Sequence, residues 1–134
     1  MAPDGALLLA DSETHLIWRL ETDGSAAVIA GTGDLGAGAD GVPATESALN
    51  GPSALAVTPD GSVYVADTGN HRVRLVLPDG GITTVAGTGV AGNSASGTIA
   101  TAAALRAPGA LALDTQGDLL IGDVMTKENL VTAR

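Results

Sequence analysis

The sequence predicts an all-β fold, a partial β-propeller built from four-stranded antiparallel blades. Three observations predict it: an internal repeat of 56 residues, four short strands with strong turn signals in each repeat, and a composition suited to layered sheets. The repeat comes first. Leu7-Leu8-Leu9-Ala10-Asp11 matches Val63-Tyr64-Val65-Ala66-Asp67 and Leu119-Leu120-Ile121-Gly122-Asp123. Residues 28–58 against 84–114 give 15 identities in 31 ungapped pairs, well above chance for unrelated segments.

Each repeat reads as strands A to D. Strand A is Ala54–Thr58, and a Pro59-Asp60-Gly61 turn leads to strand B, Val63–Ala66. Asp67-Thr68-Gly69-Asn70 turns the chain into strand C, His71–Leu77, where Arg72 and Arg74 alternate with Val73 and Leu75 in the period of a strand with one buried face. Pro78-Asp79-Gly80-Gly81 leads to strand D, Ile82–Ala86. A Gly-rich connection then returns to the next strand A, with a short helix expected at Ala44–Leu49. Four-stranded units in tandem describe a propeller rather than a solenoid.

Composition agrees. Hydrophobic residues make up 45% of the 134, but Trp18 and Tyr64 are the only aromatics, so burial must come from Ala, Val, Leu and Ile. Fifteen acidic against six basic residues give a net charge of −9, which excludes the basic surface that nucleic acid requires and disfavours anionic membranes. No stretch reaches the ~20 apolar residues of a membrane helix. No basic segment precedes the first Leu run, so no signal peptide is expected, and localisation stays open. The absence of Cys removes disulfides, thiolate catalysis and Cys-ligated zinc.

The run Val65-Ala66-Asp67-Thr68-Gly69-Asn70-His71-Arg72-Val73-Arg74 closely resembles the NHL repeat. Gly41–Pro52 followed by Ala54–Val57, and Ile82–Gly89, resemble the inter-blade segments of bacterial NHL proteins. The resemblance covers residues 1 to about 123 and implies a propeller of about six blades. It leaves function open, because such propellers serve as binding platforms, sensors and enzymes.

The repeat divides the chain into residues 1–31 (strands B, C and D of a blade lacking strand A), 32–87 (a connection and a full blade) and 88–123 (a connection and strands A and B). Residues 124–134 are expected to be a mobile tail outside the repeat, since Lys127 stands where the arithmetic places a His. An array of this kind leaves sheet edges open. Self-association is therefore expected: Ala110–Asp114 of one chain pairing with Leu7–Asp11 of the next, and three chains closing a six-bladed ring. The rival reading is a piece of a longer propeller.

Two His occur, His15 and His71, each four residues after an Asp (Asp11 and Asp67) at a B–C turn. Imidazole and carboxylate together suit zinc first, with calcium as the next divalent ion to consider. The resemblance adds that an NHL-like peptide-amidating lyase domain carries a His-ligated zinc on its axis. One of those ligands follows an Asp in a B–C turn, which implies a metal role for His71 and His15. Asp11 and Asp67 would then orient the ligands or act as a general base. The plainer reading is that each His anchors its turn by hydrogen bonds and each Asp caps the same hairpin.

Weaker candidates read as structure. Gly31-Thr32-Gly33 and Gly87-Thr88-Gly89 lack the Lys and long helix of a phosphate loop. Asp34 and Asp40 offer oxygen to calcium but lack the spacing of a dedicated loop. Ser12, Ser47 and Ser53 have no adjacent His–Asp relay. Arg72 and Arg74 suit blade-to-blade ion pairs, and Trp18, at the position of Arg74, suits strand-face packing. Two functions follow. One is a divalent-metal-dependent hydrolase or lyase acting on esters, lactones or phosphotriesters. The other is a non-catalytic module binding protein, peptide or glycan.

Overall fold

The computed structural model describes residues 2–91, 104–123 and 130–133. Three antiparallel sheets follow one another along the chain. The first is β1 (Leu7–Asp11), β2 (Leu16–Leu20) and β3 (Ala26–Ala30). The second is β4 (Ala54–Val57), β5 (Val63–Asp67), β6 (Arg72–Val76) and β7 (Ile82–Ala86). The third is β8 (Pro108–Leu113), β9 (Leu119–Asp123) and β10 (Leu130–Ala133). Each sheet is a meander whose neighbours in sequence are neighbours in space.

Local chemistry sets the hairpins. In the β4–β5 turn the Asp60 carboxylate accepts the Ser62 N–H at 3.0 Å, and the Thr58 and Ser62 backbones close the loop at 2.9 Å. Asp23 does the same for Ser25 (2.9 Å) between β2 and β3, and Asp79 for Gly81 (2.9 Å) between β6 and β7. These Asx turns are why Asp-Gly punctuates the repeat. A register shift falls between Val73 and Arg74 in the second sheet and between Ile17 and Trp18 in the first, at the same place in each repeat.

Two expectations change. Ala44–Leu49 is not a helix of that length: it holds one 3-10 turn, Ala44–Glu46, after which Ser47 is extended and its hydroxyl donates to Ala39 O at 2.8 Å. Six residues cannot repay the cost of nucleating an α-helix. Leu130–Ala133, expected within a tail outside the repeat, forms β10 and pairs with β9 from Leu130↔Gly122 to Ala133↔Leu119. It takes the place β6 holds in the second sheet. Lys127 lies outside the described residues.

The core lies between sheets. Ile17 and Ala30 of the first sheet meet Val63 and Val65 of the second, with Ala44 and Leu49 of the connection closing the top of this layer. Val73 and Ala86 of the second sheet meet Leu119 and Ile121 of the third, with Leu105. These small aliphatic side chains let sheets stack closely, each large one contributing about 1.5–3 kcal/mol on burial. The connection also guards an edge: Gly41 N–H donates to Ile82 O (2.8 Å) and Ile82 N–H to Val42 O (3.2 Å), covering the start of β7.

Candidate functional site

The β5–β6 turn holds Asp67 and His71, two of the four candidate site residues, and the β1–β2 turn holds Asp11 and His15. Thr68–Asn70 form a 3-10 turn, and His71 ends it in the left-handed region at φ 54°. His15 takes the same conformation at φ 60° in the β1–β2 turn. Gly87 and Gly31 make this possible. Each has a positive φ, and a Cβ would stand 2.5 Å from His71 O and 2.3 Å from His15 O respectively.

Both imidazoles do the same thing. His71 Nδ1 accepts the Ala107 N–H at 3.0 Å, and His15 Nδ1 accepts the Gly51 N–H at 2.9 Å. Each donor sits 36 residues ahead, at the end of the connection leading to the next sheet. An accepting Nδ1 requires a neutral ring with its proton on Nε2. That tautomer has no second lone pair, whereas a metal-bound His normally donates from its other nitrogen. The rings as placed therefore do not fit a metal ion. Among the described residues, no group of three or more His, Asp or Glu is gathered closely enough to hold one.

Asp67 is fully buried. Its Oδ1 accepts the Asn50 N–H at 2.8 Å, and its Oδ2 accepts Asn70 Nδ2 at 2.9 Å. Arg72 Nε and Arg74 Nη1 lie 3.8 and 3.7 Å from Oδ2. Burial pushes the Asp67 carboxyl above the usual range, against the opposing pull of Asn70, Asn50 and the two guanidinium groups. Enclosed in this way, Asp67 has no path to a substrate proton.

Arg74 was missed as a core residue. It is completely buried, the largest buried side chain among those described. Its Nη2 donates to Asp40 Oδ1 (2.9 Å), Ala39 O (3.1 Å) and Ser47 Oγ (3.1 Å). Thr84 Oγ1 adds a bond to Asp40 Oδ1 at 2.9 Å. Arg72 Nη2 reaches Gly38 O (2.9 Å), and Asn70 Nδ2 reaches Gly36 O (2.8 Å). The Gly-rich connection therefore presents a row of carbonyls to β6. Its short residues allow the close approach, and two Arg at alternate positions of a strand were the available signal. Asp40 is a partner of Arg74, while Asp34 is exposed.

Asp11 differs from its repeat partner. Its Oδ1 accepts the N–H groups of Glu13 (3.1 Å) and Thr14 (3.3 Å) at an exposed turn. The Thr14 hydroxyl foremost, and then these two backbone bonds, hold its carboxyl below the usual range. Trp18, in place of Arg74, lines an open groove of about 580 Å³ with Leu9, Leu20 and Ala26. A separate cleft of about 780 Å³ opens between the first and second sheets, walled by Leu8, Ile29, Val63, Val76 and Ile82. It adjoins Gly61 and Pro78–Gly81, at the strand ends opposite His15 and His71, and reaches neither His.

Comparison with known proteins agrees with this architecture. Residues 49–74 match the NHL repeat model. Teneurin-1 from Mus musculus is 35% identical over 86 residues, a match covering 54% of this chain and 3% of that protein. A Bacteroides thetaiotaomicron protein of unknown function superposes with a TM-score of 0.79 at 23% identity, over 90% of this chain and 30% of the other. An auxiliary nutrient binding protein from Bacteroides ovatus gives 0.67 at 25% identity, over 88% and 32%. The chain thus spans a small part of Teneurin-1 and about a third of the solved structures. Residues 49–74 therefore carry the match to an NHL repeat, across the β5–β6 hairpin, and the chain as a whole has the fold of β-propeller blades.

Proposed function

We propose that the chain is a non-catalytic propeller module that binds a protein, peptide or glycan, and that its Asp and His hold blades together. One observation carries this reading: both His Nδ1 atoms accept a backbone N–H from the next connection. The acidic balance of −9 points away from nucleic acid. The Bacteroides ovatus relative, described as nutrient binding, is in keeping with a binding role.

The test is elemental analysis and zinc titration of the purified chain, beside His71→Ala. On this reading the protein carries no stoichiometric metal, chelator leaves its melting temperature unchanged, and His71→Ala lowers that temperature. The opposite result is metal per chain that His71→Ala removes from a still-folded protein, with chelator-sensitive esterase, lactonase or phosphotriesterase activity. That outcome would establish the hydrolase reading in its place.

A further inference from the structure

We propose that the cleft between the first and second sheets is a docking site for a basic peptide segment, one that sets an apolar side chain beside a Lys or Arg. The inference rests on the binding reading above and deepens it, giving that reading a site and a partner chemistry.

Both walls of the cleft belong to this chain. Leu8 and Ile29 come from the first sheet, and Val63, Val76 and Ile82 from the second. A further blade would stack on the outer face of the first or the third sheet, not between the first and second. A strand added to the first sheet ahead of β1 would extend the β1 edge. The cleft instead reaches Ile29 on β3, at the opposite edge, and the β6–β7 turn. It opens between elements that already stand side by side.

The repeat shows why there is room. Leu8 corresponds to Tyr64, and Tyr64 packs in the next layer, between the second and third sheets. In the first layer the smaller Leu8 takes that place and leaves a cleft of about 780 Å³. Ligand pockets span roughly 300–1,000 Å³.

The rim selects the occupant. The charged residues lining the cleft are Arg19 and Asp79. Arg19 is already paired with both Asp4 and Glu21, so its charge is more than offset. Asp79 is exposed, gives Oδ1 to the Gly81 N–H, and pairs with no cation among the described residues. Asp23 and Asp60, in turns at the same ends of the strands, add negative charge nearby. The local field therefore favours a cation beside an apolar floor. Thr45 and Thr83 line the cleft with hydroxyls that have no partner among the described residues, and these suit a peptide backbone. A glycan would bring neither the cation nor the apolar surface.

The probe is a short labelled peptide of alternating Leu and Lys, beside its Leu and Glu counterpart. Anisotropy titration of the full chain measures affinity, and amide NMR shifts locate the site. Expected is binding of the Lys peptide alone, weakening as salt rises, with shifts centred on Leu8, Val63 and Thr83. Leu8→Tyr fills the cleft with a residue the next layer already accommodates, so it should stay folded and weaken binding about tenfold or more. Asp79→Asn keeps an acceptor for the Gly81 N–H but loses the charge, and should weaken binding about threefold. Asp23→Asn removes the same charge from a turn that does not line the cleft, and should leave affinity within about twofold. No binding of the Lys peptide, or equal binding of the Glu peptide, overturns the proposal. Binding that ignores Leu8→Tyr, or shifts centred elsewhere, also overturns it while leaving the chain a binding module. The wider reading fails separately, on metal and chelator. The NMR map of the unsubstituted chain decides the matter even where a variant fails to fold.

Discussion

The β1–β2 and β5–β6 turns occupy the same place in the repeat, 56 residues apart, and use the same Asp and His differently. The His role is common: both Nδ1 atoms tie down the start of the next sheet. The Asp role is not. Asp67 lies buried under a connection that brings Asn50 N–H, and it shares that layer with Asn70, Arg72 and Arg74. Asp11 closes only its own turn, with Leu16 and Trp18 where the two Arg would be. The comparison teaches that the repeat's Asp is a neutral scaffold position. Whether it becomes a buried charge depends on what the strand after it carries.

The sharpest way to break the comparison is to remove both carboxylates in turn. Asp67→Ala leaves the buried Arg74 with Asp40 as its one carboxylate partner among the described residues and orphans Asn50 N–H, a loss of about 3–5 kcal/mol. Asp11→Ala forfeits two bonds at an exposed turn, and its unfolding midpoint should stay close to that of the parent. Urea unfolding of the two variants measures this, and equal losses would show the turns to be equivalent after all. The glycines behind the His give the next largest effect. Gly87→Ala meets His71 O at 2.5 Å at a φ of 92°, and should cost about 3 kcal/mol. Gly24→Ala has a φ of 93° but nothing within 4 Å, and should cost about 1 kcal/mol.

The shared His role predicts equality instead of contrast. His71→Ala and His15→Ala each leave one backbone N–H without its acceptor and put Ala in the left-handed region, for about 1–3 kcal/mol apiece. Asn tolerates that conformation and should recover part of the loss in both. Thermal melts of the four variants decide this. A loss at His71 alone would mean that the first turn is not latched to Gly51.

Much of this was legible beforehand, for identifiable reasons. The repeat located all three sheets, and Asp-Gly located the hairpins because those turns are closed by residues two apart in sequence. What escaped depended on distance. Arg74 alternates with Val73, as a solvent-facing residue would, and its burial rests on Asp40, 34 residues earlier on a connection without periodicity. β10 had lost the repeat's residue identities, so only its Leu-Val-Thr run remained as a signal, too short to set a register. The Asp–His spacing was plain in both turns. Metal ligand and latch demand the same two residues, and the choice between them lies in where Gly51 and Ala107 present their N–H groups.

The finest test of the comparison is pH, because the two carboxyls shift in opposite directions. Asp67 sits above its unfolded value of 3.8 through burial. Between 3.8 and that higher value the folded chain keeps a proton the unfolded chain has released, so stability contributed there is lost as pH rises through the window. Asp11 sits below 3.8 through its bonds to Thr14 and Glu13, as do Asp4, Asp23 and Asp60 in their own turns. Below 3.8 the unfolded chain takes up protons these groups refuse when folded, so their contribution is lost as pH falls. Urea unfolding across the acid range should therefore show stability declining on both sides of a maximum. Asp67→Asn should flatten the decline on the high-pH side and leave the acid limb intact. Asp11→Asn should soften only the acid limb, and weakly, since Asp4, Asp23 and Asp60 remain. A high-pH limb unchanged in Asp67→Asn would mean that the two Arg, rather than burial, govern the Asp67 carboxyl.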